Sequence, residues 1–79
     1  MKITKEINKA LKTSGVRKSE VTQYKFVDEY GNRSFYQPRT KSLRWQLEVL
    51  FLDKDPSGEI VKVWVNALKE VVIEFKAAW

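Results

Sequence analysis

Seven basic residues between positions 17 and 44 are the side chains best suited to chemistry, because they can pair with phosphates. They are Arg17, Lys18, Lys25, Arg33, Arg39, Lys41 and Arg44. All three tyrosines, Tyr24, Tyr30 and Tyr36, fall in the same stretch, and aromatic rings can stack on nucleic-acid bases. We therefore predict a nucleic-acid-binding surface made by the basic set, with Tyr30 and Tyr36 as its stacking rings.

The charge of the chain is unevenly distributed. Residues 1–44 hold 11 Lys/Arg and 4 Asp/Glu, a net charge of +7, whereas residues 45–79 hold 4 and 6, a net charge of −2. The overall excess of +5 favours a negatively charged partner, such as nucleic acid, an acidic protein surface or anionic lipid. A modest net charge also keeps a small protein soluble, so the excess by itself does not identify a partner.

Catalysis finds little support in the residue types. The chain has no histidine and no cysteine, so the commonest general base and the best nucleophile are both absent. Asp53 and Asp55 lie in an open turn, where both carboxylates stay solvated. We expect a non-enzymatic protein without a cofactor. Its longest apolar runs are too short to span a bilayer and no apolar signal core follows Met1, so we expect a cytoplasmic protein without a membrane partner.

One segment resembles the turn and second helix of a helix-turn-helix. Gly15 would lie in the turn, and apolar Val16, Val21 and Tyr24 follow at the spacing that this packing needs. Ser14 stands where an apolar residue normally packs, and the residues over 21–27 favour a strand. A helix–loop–strand is the preferred interpretation, and the DNA-reading helix is the alternative.

A second segment resembles the start of an EF-hand calcium loop. Asp53, Asp55 and Ser57 occupy its first, third and fifth positions, and Gly58 occupies the sixth. The twelfth position, which should hold a bidentate glutamate, is Trp64. We therefore predict a hydrophilic hairpin turn and no metal site.

The elements that must position these side chains form one small α+β domain over residues 1–79. Ile3, Ile7, Ala10 and Leu11 make one helical stripe, and Gly15 follows as a stop. We predict a four-stranded antiparallel sheet of two hairpins, with strands over 21–28, 33–37, 43–52 and 59–65. An even-numbered loop in the first hairpin would place Tyr24 and Phe26 on one face with Phe35, and Lys25 on the other with Tyr36.

The last segment, 66–79, fits two periodicities. Asn66 is a good N-cap, and Leu68, Val71, Val72, Phe75 and Trp79 belong to a helical stripe, so we favour a C-terminal helix packed on the sheet. Alternation of Val71, Ile73 and Phe75 keeps a strand open as the alternative.

An apolar surplus supports a rival function. The strand assignment over 43–52 and 59–65 places Leu50, Leu52, Ile60 and Trp64 on one sheet face, with Trp79 as a further apolar residue that so short a chain must cover. Such a patch would suit a protein partner or a homodimer, as in an accessory or inhibitory module of a bacterium or phage. A covered second face together with an open basic face would instead favour nucleic acid.

Overall fold

An N-terminal helix and a four-stranded mixed sheet make up the computed structural model, which describes residues 2–52 and 57–77. In chain order the elements are α1 Lys2–Ser14, a 3-10 turn Lys18–Glu20, β1 Gln23–Val27, β2 Arg33–Tyr36, α2 Lys41–Leu47, a π-helical segment Glu48–Leu52, β3 Gly58–Val65 and β4 Glu70–Ala77. The predicted α+β class is confirmed, but the elements of the second half differ from the prediction.

The strand order across the sheet is β2-β1-β4-β3. β1–β2 and β3–β4 are antiparallel hairpins, whereas the two central strands, β1 and β4, pair in parallel. The prediction of a wholly antiparallel sheet is therefore wrong. A parallel pair needs a long crossover connection, and here the chain from β2 through α2 to β3 supplies it.

The predicted first helix is confirmed. Its apolar stripe, Ile3, Ile7, Ala10 and Leu11, is buried, and α1 packs chiefly against β3. Gly15 ends the helix at a φ of 70°, in the left-handed region that glycine tolerates best. The 3-10 turn and β1 then follow, so the helix–loop–strand interpretation of this segment is confirmed over the helix-turn-helix alternative.

The hydrophobic core lies between the helices and one face of the sheet. Tyr24 and Phe26 of β1 and Val71 and Ile73 of β4 supply the buried part of this inner face. The ring of Phe26 meets that of Tyr36 edge-on at 5.3 Å and that of Phe75 at 6.4 Å between centroids. Three strands, β1, β2 and β4, therefore contribute aromatic side chains to the core.

The strand predicted over 43–52 is helical instead. The Thr40 hydroxyl accepts the Leu43 backbone N–H at 3.2 Å, which caps α2. Leu43 and Leu50 are buried and Leu47 packs against the core, at the i, i+4 and i+7 spacing of a helix. The segment 43–52 contains both this helical stripe and the apolar–polar alternation of a strand. Burial in the folded chain favours the helical stripe.

The helix predicted over 66–79 is wrong in the described residues, because β4 occupies 70–77. Val71, Val72 and Ile73 are all buried, and such a continuous apolar run is typical of a central strand. Asn66 caps a tight turn in place of a helix, since its Oδ1 accepts the backbone N–H groups of Leu68 at 3.0 Å and Glu70 at 2.9 Å.

The first predicted hairpin is confirmed, but its register differs. The Asp28 N–H donates to the Asn32 carbonyl at 3.1 Å, which leaves an odd-numbered loop containing Gly31 at a φ of 83°. Tyr24 therefore lies opposite Tyr36, and Lys25 lies opposite Phe35. The predicted faces of the two β2 aromatics are exchanged.

Candidate nucleic-acid interface

A groove of about 520 Å³ lies between α1, the 3-10 turn and the start of α2. Its lining residues are Thr4, Ile7, Asn8, Lys18, Tyr24, Pro38, Arg39, Thr40, Lys41, Leu43, Arg44 and Leu47. Four of them carry positive charge and none carries negative charge. We call this the basic groove.

Two elements position the four cations of the basic groove. Lys18 begins the 3-10 turn, while Arg39, Lys41 and Arg44 lie at or beside the N-terminal half of α2. Arg39 has a φ of 63°, which turns the chain sharply between β2 and α2. Thr40 fixes this corner, because its hydroxyl donates to the Gln37 carbonyl at 2.8 Å while also capping α2.

The cations of the groove have no acidic partner among the described residues. The ion pair found among the described residues lies outside the groove, between the Lys69 ammonium and the Glu20 carboxylate at 3.1 Å. That pair and the Arg17 backbone N–H lower the pKa of Glu20, with the backbone bond contributing most. Uncompensated positive charge around a concavity attracts anions, and the groove is therefore a candidate phosphate-binding site.

Apolar side chains form the floor of the groove. Ile7, Leu43 and Tyr24 are buried there, and Pro38 and Leu47 are half-buried. Burial raises the pKa of the Tyr24 hydroxyl, so this group stays neutral and adds no negative charge. The groove thus joins a cationic rim to an uncharged floor.

Trp45 is a candidate functional residue that the sequence analysis missed. It lines a small cleft with Tyr36, Lys41 and Ser42, and Lys41 also lines the basic groove. Its side chain is 61% exposed, which is unusual for tryptophan in so small a domain. A strand was predicted over 43–52, whereas the helical spacing of Leu43, Leu47 and Leu50 places Trp45 on the solvent side of a helix.

The nine residues predicted from sequence divide among several places. Lys18, Arg39, Lys41 and Arg44 meet in the basic groove, and half-buried Tyr36 lies beside it. The remaining four, Arg17, Lys25, Tyr30 and Arg33, do not line it.

Two of these four, Arg17 and Tyr30, lie in exposed turns. Arg17 precedes the 3-10 turn, with its N–H bonded to the Glu20 carboxylate at 3.0 Å. Tyr30 is 81% exposed in the β1–β2 loop, where its N–H donates to the Asp28 carboxylate at 3.0 Å. Burial raises the pKa of Asp28, but hydrogen bonds from Asn32 and from the loop backbone outweigh it and lower the pKa.

Lys25 and Arg33 lie on the sheet face opposite the core. Strand register places two rows there, one of Phe35, Lys25, Val72 and Trp64 and one of Arg33, Val27, Glu74 and Lys62. We call these two rows the open sheet face. Phe35 and Trp64 are 53% and 37% exposed, so the described residues leave both rings accessible.

Three of the four charged side chains on the open sheet face have local partners, those of Lys25, Lys62 and Glu74. The Lys25 ammonium lies 5.9 Å from the centroid of the Phe35 ring, and the Lys62 ammonium lies 5.5 Å from that of Trp64. The Trp64 indole N–H donates to the Glu74 carboxylate at 2.7 Å. Cations that rest on rings beside a carboxylate are less available to an external anion.

The apolar patch of the rival hypothesis is not one surface. Leu50 is buried in the core, Ile60 packs half-buried against the core, and Trp64 lies on the open sheet face. The side chains of Leu52 and Trp79 lie outside the described residues.

The turn that resembles a calcium loop falls mostly outside the described residues, at 53–56. Ser57 donates its hydroxyl to the Val49 carbonyl at 3.0 Å, and Gly58 approaches Leu50 so closely that a Cβ would stand 3.2 Å from the leucine side chain. The described residues include no cluster of three potential metal ligands. None of the described helices has the length and apolar character needed to cross a bilayer.

Comparison with protein-family models, with curated proteins and with solved structures gives no match for this chain.

Proposed function

We propose that this protein is a non-enzymatic nucleic-acid-binding module and that the basic groove is its contact surface. The observation that carries the proposal is the convergence of Lys18, Arg39, Lys41 and Arg44 around one concavity, with no carboxylate among its described lining residues. The consecutive phosphates of a nucleic acid supply several anions in one molecule, so they can pair with these four cations at once. The absence of histidine and cysteine from the chain supports a binding role over a catalytic one.

The mechanism is sequence-independent phosphate pairing. Arg39 and Arg44 can each engage a phosphate through two N–H groups, while Lys18 and Lys41 act as point charges. Such contacts hold the backbone of the nucleic acid without reading its sequence. We expect micromolar or weaker affinity at moderate salt, since a small module of this type relies on counterion release.

A salt series tests the proposal. Binding of labelled single- and double-stranded DNA and RNA is measured by fluorescence anisotropy from low to physiological salt. If four phosphates are neutralised, the logarithm of the affinity for a single strand falls with the logarithm of the salt concentration with a slope of about −3. Affinity that is absent at low salt, or that stays constant across the series, would reject the proposal.

Paired charge variants locate the site. Arg39→Gln with Arg44→Gln removes two charges from the groove, whereas Arg33→Gln with Lys62→Gln removes two from the open sheet face. The groove pair should weaken binding at least about tenfold and flatten the slope by more than one unit, while the control pair has the smaller effect that net charge alone produces. Equal losses would show that overall charge, and not the groove, drives binding.

The open sheet face supports a second candidate function, which is binding of protein. Exposed Phe35 and Trp64 lie at the two ends of one row of this face, and the adjacent row carries charges of both signs. Aromatic rings among mixed charges are a composition suited to a protein interface. Sedimentation of the wild-type protein and of Phe35→Ser with Trp64→Ser would show self-association through this face. A monomer at every concentration, unchanged in the variant, would argue against a homodimer.

A further inference from the structure

The apolar floor of the basic groove indicates which class of nucleic acid the protein binds, an inference that rests on the proposed function. We infer that the groove receives an unpaired base together with its phosphate, so that the protein binds single strands in preference to duplexes. Cationic rims alone would serve either form. The apolar floor is the feature that only a single strand can use.

The composition of the groove supports an occupant that is apolar on one side and anionic on the other. Ile7, Leu43, Leu47 and Pro38 contribute aliphatic surface to the floor, whereas Lys18 and Arg44 belong to the charged lining. A nucleotide joins a flat base, whose faces are weakly hydrated, to a phosphate through its sugar, so the base can cover the floor while the phosphate stays at the rim. Paired bases inside a duplex are stacked on each other and cannot reach such a floor.

The size of the groove agrees with this occupant. Its volume of about 520 Å³ lies within the range of roughly 300–1,000 Å³ found for pockets that hold small organic ligands. A recessed site of this kind receives a group that protrudes from its chain. A splayed base of a single strand protrudes, whereas the outside of a duplex presents sugar and phosphate.

Trp45 extends the same argument to a neighbouring nucleotide. Its exposed ring lies in the cleft that shares Lys41 with the groove. Stacking on an exposed aromatic ring is the usual way in which proteins hold unpaired bases without sequence preference. One base in the groove and the next on Trp45 would account for both features.

The first test compares substrates with the wild-type protein. Anisotropy is measured at one low salt concentration for a ten-nucleotide DNA strand, the matching RNA strand, the duplex of the same length, and the DNA strand with abasic sites. We expect both single strands to bind at least about tenfold more tightly than the duplex and the abasic strand. If only one of the two intact strands shows this preference, the sugar selects between DNA and RNA and the inference holds for that strand.

The second test uses Trp45→Ala with Trp64→Ala as its matched control on the open sheet face. Trp45→Ala should weaken single-strand binding about tenfold, leave duplex binding unchanged, and be rescued in part by Trp45→Phe. Trp64→Ala should change neither. Circular dichroism of each variant confirms that the fold is kept.

The outcomes separate the two proposals. Duplex binding as tight as single-strand binding, or an abasic strand that binds as well as the intact one, would overturn the inference while leaving phosphate binding in place. Failure of every substrate to bind at low salt would reject the proposed function itself, and the inference with it.

Discussion

The basic groove and the open sheet face both combine cations with aromatic rings, yet they differ in what surrounds the cations. In the groove, four cations share a concavity whose described lining includes no carboxylate. On the open sheet face, Lys25 and Lys62 lie over Phe35 and Trp64, and Glu74 holds the indole of Trp64. Among the described residues, the groove cations thus have no acidic partner, whereas Lys25 and Lys62 are engaged with rings on the open sheet face.

The local partners of a cation, more than its presence, therefore indicate a binding surface. A lysine already engaged with a ring must give up that contact to bind a phosphate, whereas an unpaired arginine gives up only water. Carboxylates nearby also repel the incoming anion. These differences favour the groove as the proposed binding surface, although its aromatic content is the lower of the two regions.

The largest expected effect concerns the two faces of the sheet. Phe26→Ala should lower the free energy of unfolding by about 3–5 kcal/mol, because Phe26 is 1% exposed and contacts two other rings. Phe35→Ala, on the open sheet face, should cost less than about 1 kcal/mol. Urea denaturation measures both, and similar losses would mean that the open sheet face is covered in solution.

Charge reversal in the groove should have the next largest effect. Arg44→Glu places a carboxylate among Lys18, Arg39 and Lys41, so it both removes a phosphate partner and repels the ligand. Affinity for a single strand should fall by about 30-fold or more, equivalent to about 2 kcal/mol, whereas Arg33→Glu should cost several-fold less. Indistinguishable affinities in an anisotropy titration would abolish the distinction between the two surfaces.

A smaller effect should come from Glu70. It lies in β4 two residues before Val72, and therefore on the same side of the strand as Val72 and Glu74. Its pKa lies below the ordinary value of 4.5, mainly because the Asn66 amide donates to its carboxylate and also because the Gln23 amide does. The ionised form therefore stabilises the fold fully above about pH 4.5, and this contribution is lost as the pH falls through the lowered pKa.

Glu70→Gln tests this assignment. At pH 7 we expect a loss of about 1 kcal/mol in the free energy of unfolding, because Asn66 and Gln23 donate to different carboxylate oxygens and an amide keeps only one acceptor oxygen. The loss should shrink as the pH is lowered below about 4.5 and through the lowered pKa of Glu70. A loss that is constant from pH 7 to pH 3 would contradict the role of ionisation.

The smallest effect should come from Lys62. Lys62→Gln removes an exposed cation–ring contact with Trp64, so stability should change by about 0.5 kcal/mol or less. Nucleic-acid affinity should hardly change either. A loss of affinity comparable with that of Lys41→Gln would move the binding site toward the open sheet face.

Part of the candidate site was accessible from sequence. The basic set contains all four groove cations, because charge is a property of residue type. Their meeting place was not accessible, since Lys18 reaches the others only when the first hairpin returns the chain beside α1. Tyr30 and Tyr36 were predicted as the stacking rings, whereas the exposed ring in the neighbouring cleft is that of Trp45, because the position of an aromatic ring depends on which element carries it.

The sequence alone determined α1 and the first hairpin. Their signals are local: an apolar stripe closed by Gly15, and two runs of strand-forming residues around a short polar loop. The segments 43–52 and 70–77 each satisfy both the helical and the strand period, so local propensity could not separate them.

Tertiary structure decided those two segments. The central position of β4 between β1 and β3 makes use of three consecutive apolar residues, Val71 to Ile73, because a strand paired on both sides can bury both of its faces. With that position filled, residues 41–52 bury Leu43 and Leu50 as a helix against the core and turn Trp45 outward. The groove and its neighbouring ring exist because burial, which involves the whole chain, decided between two periods that are both present in the sequence.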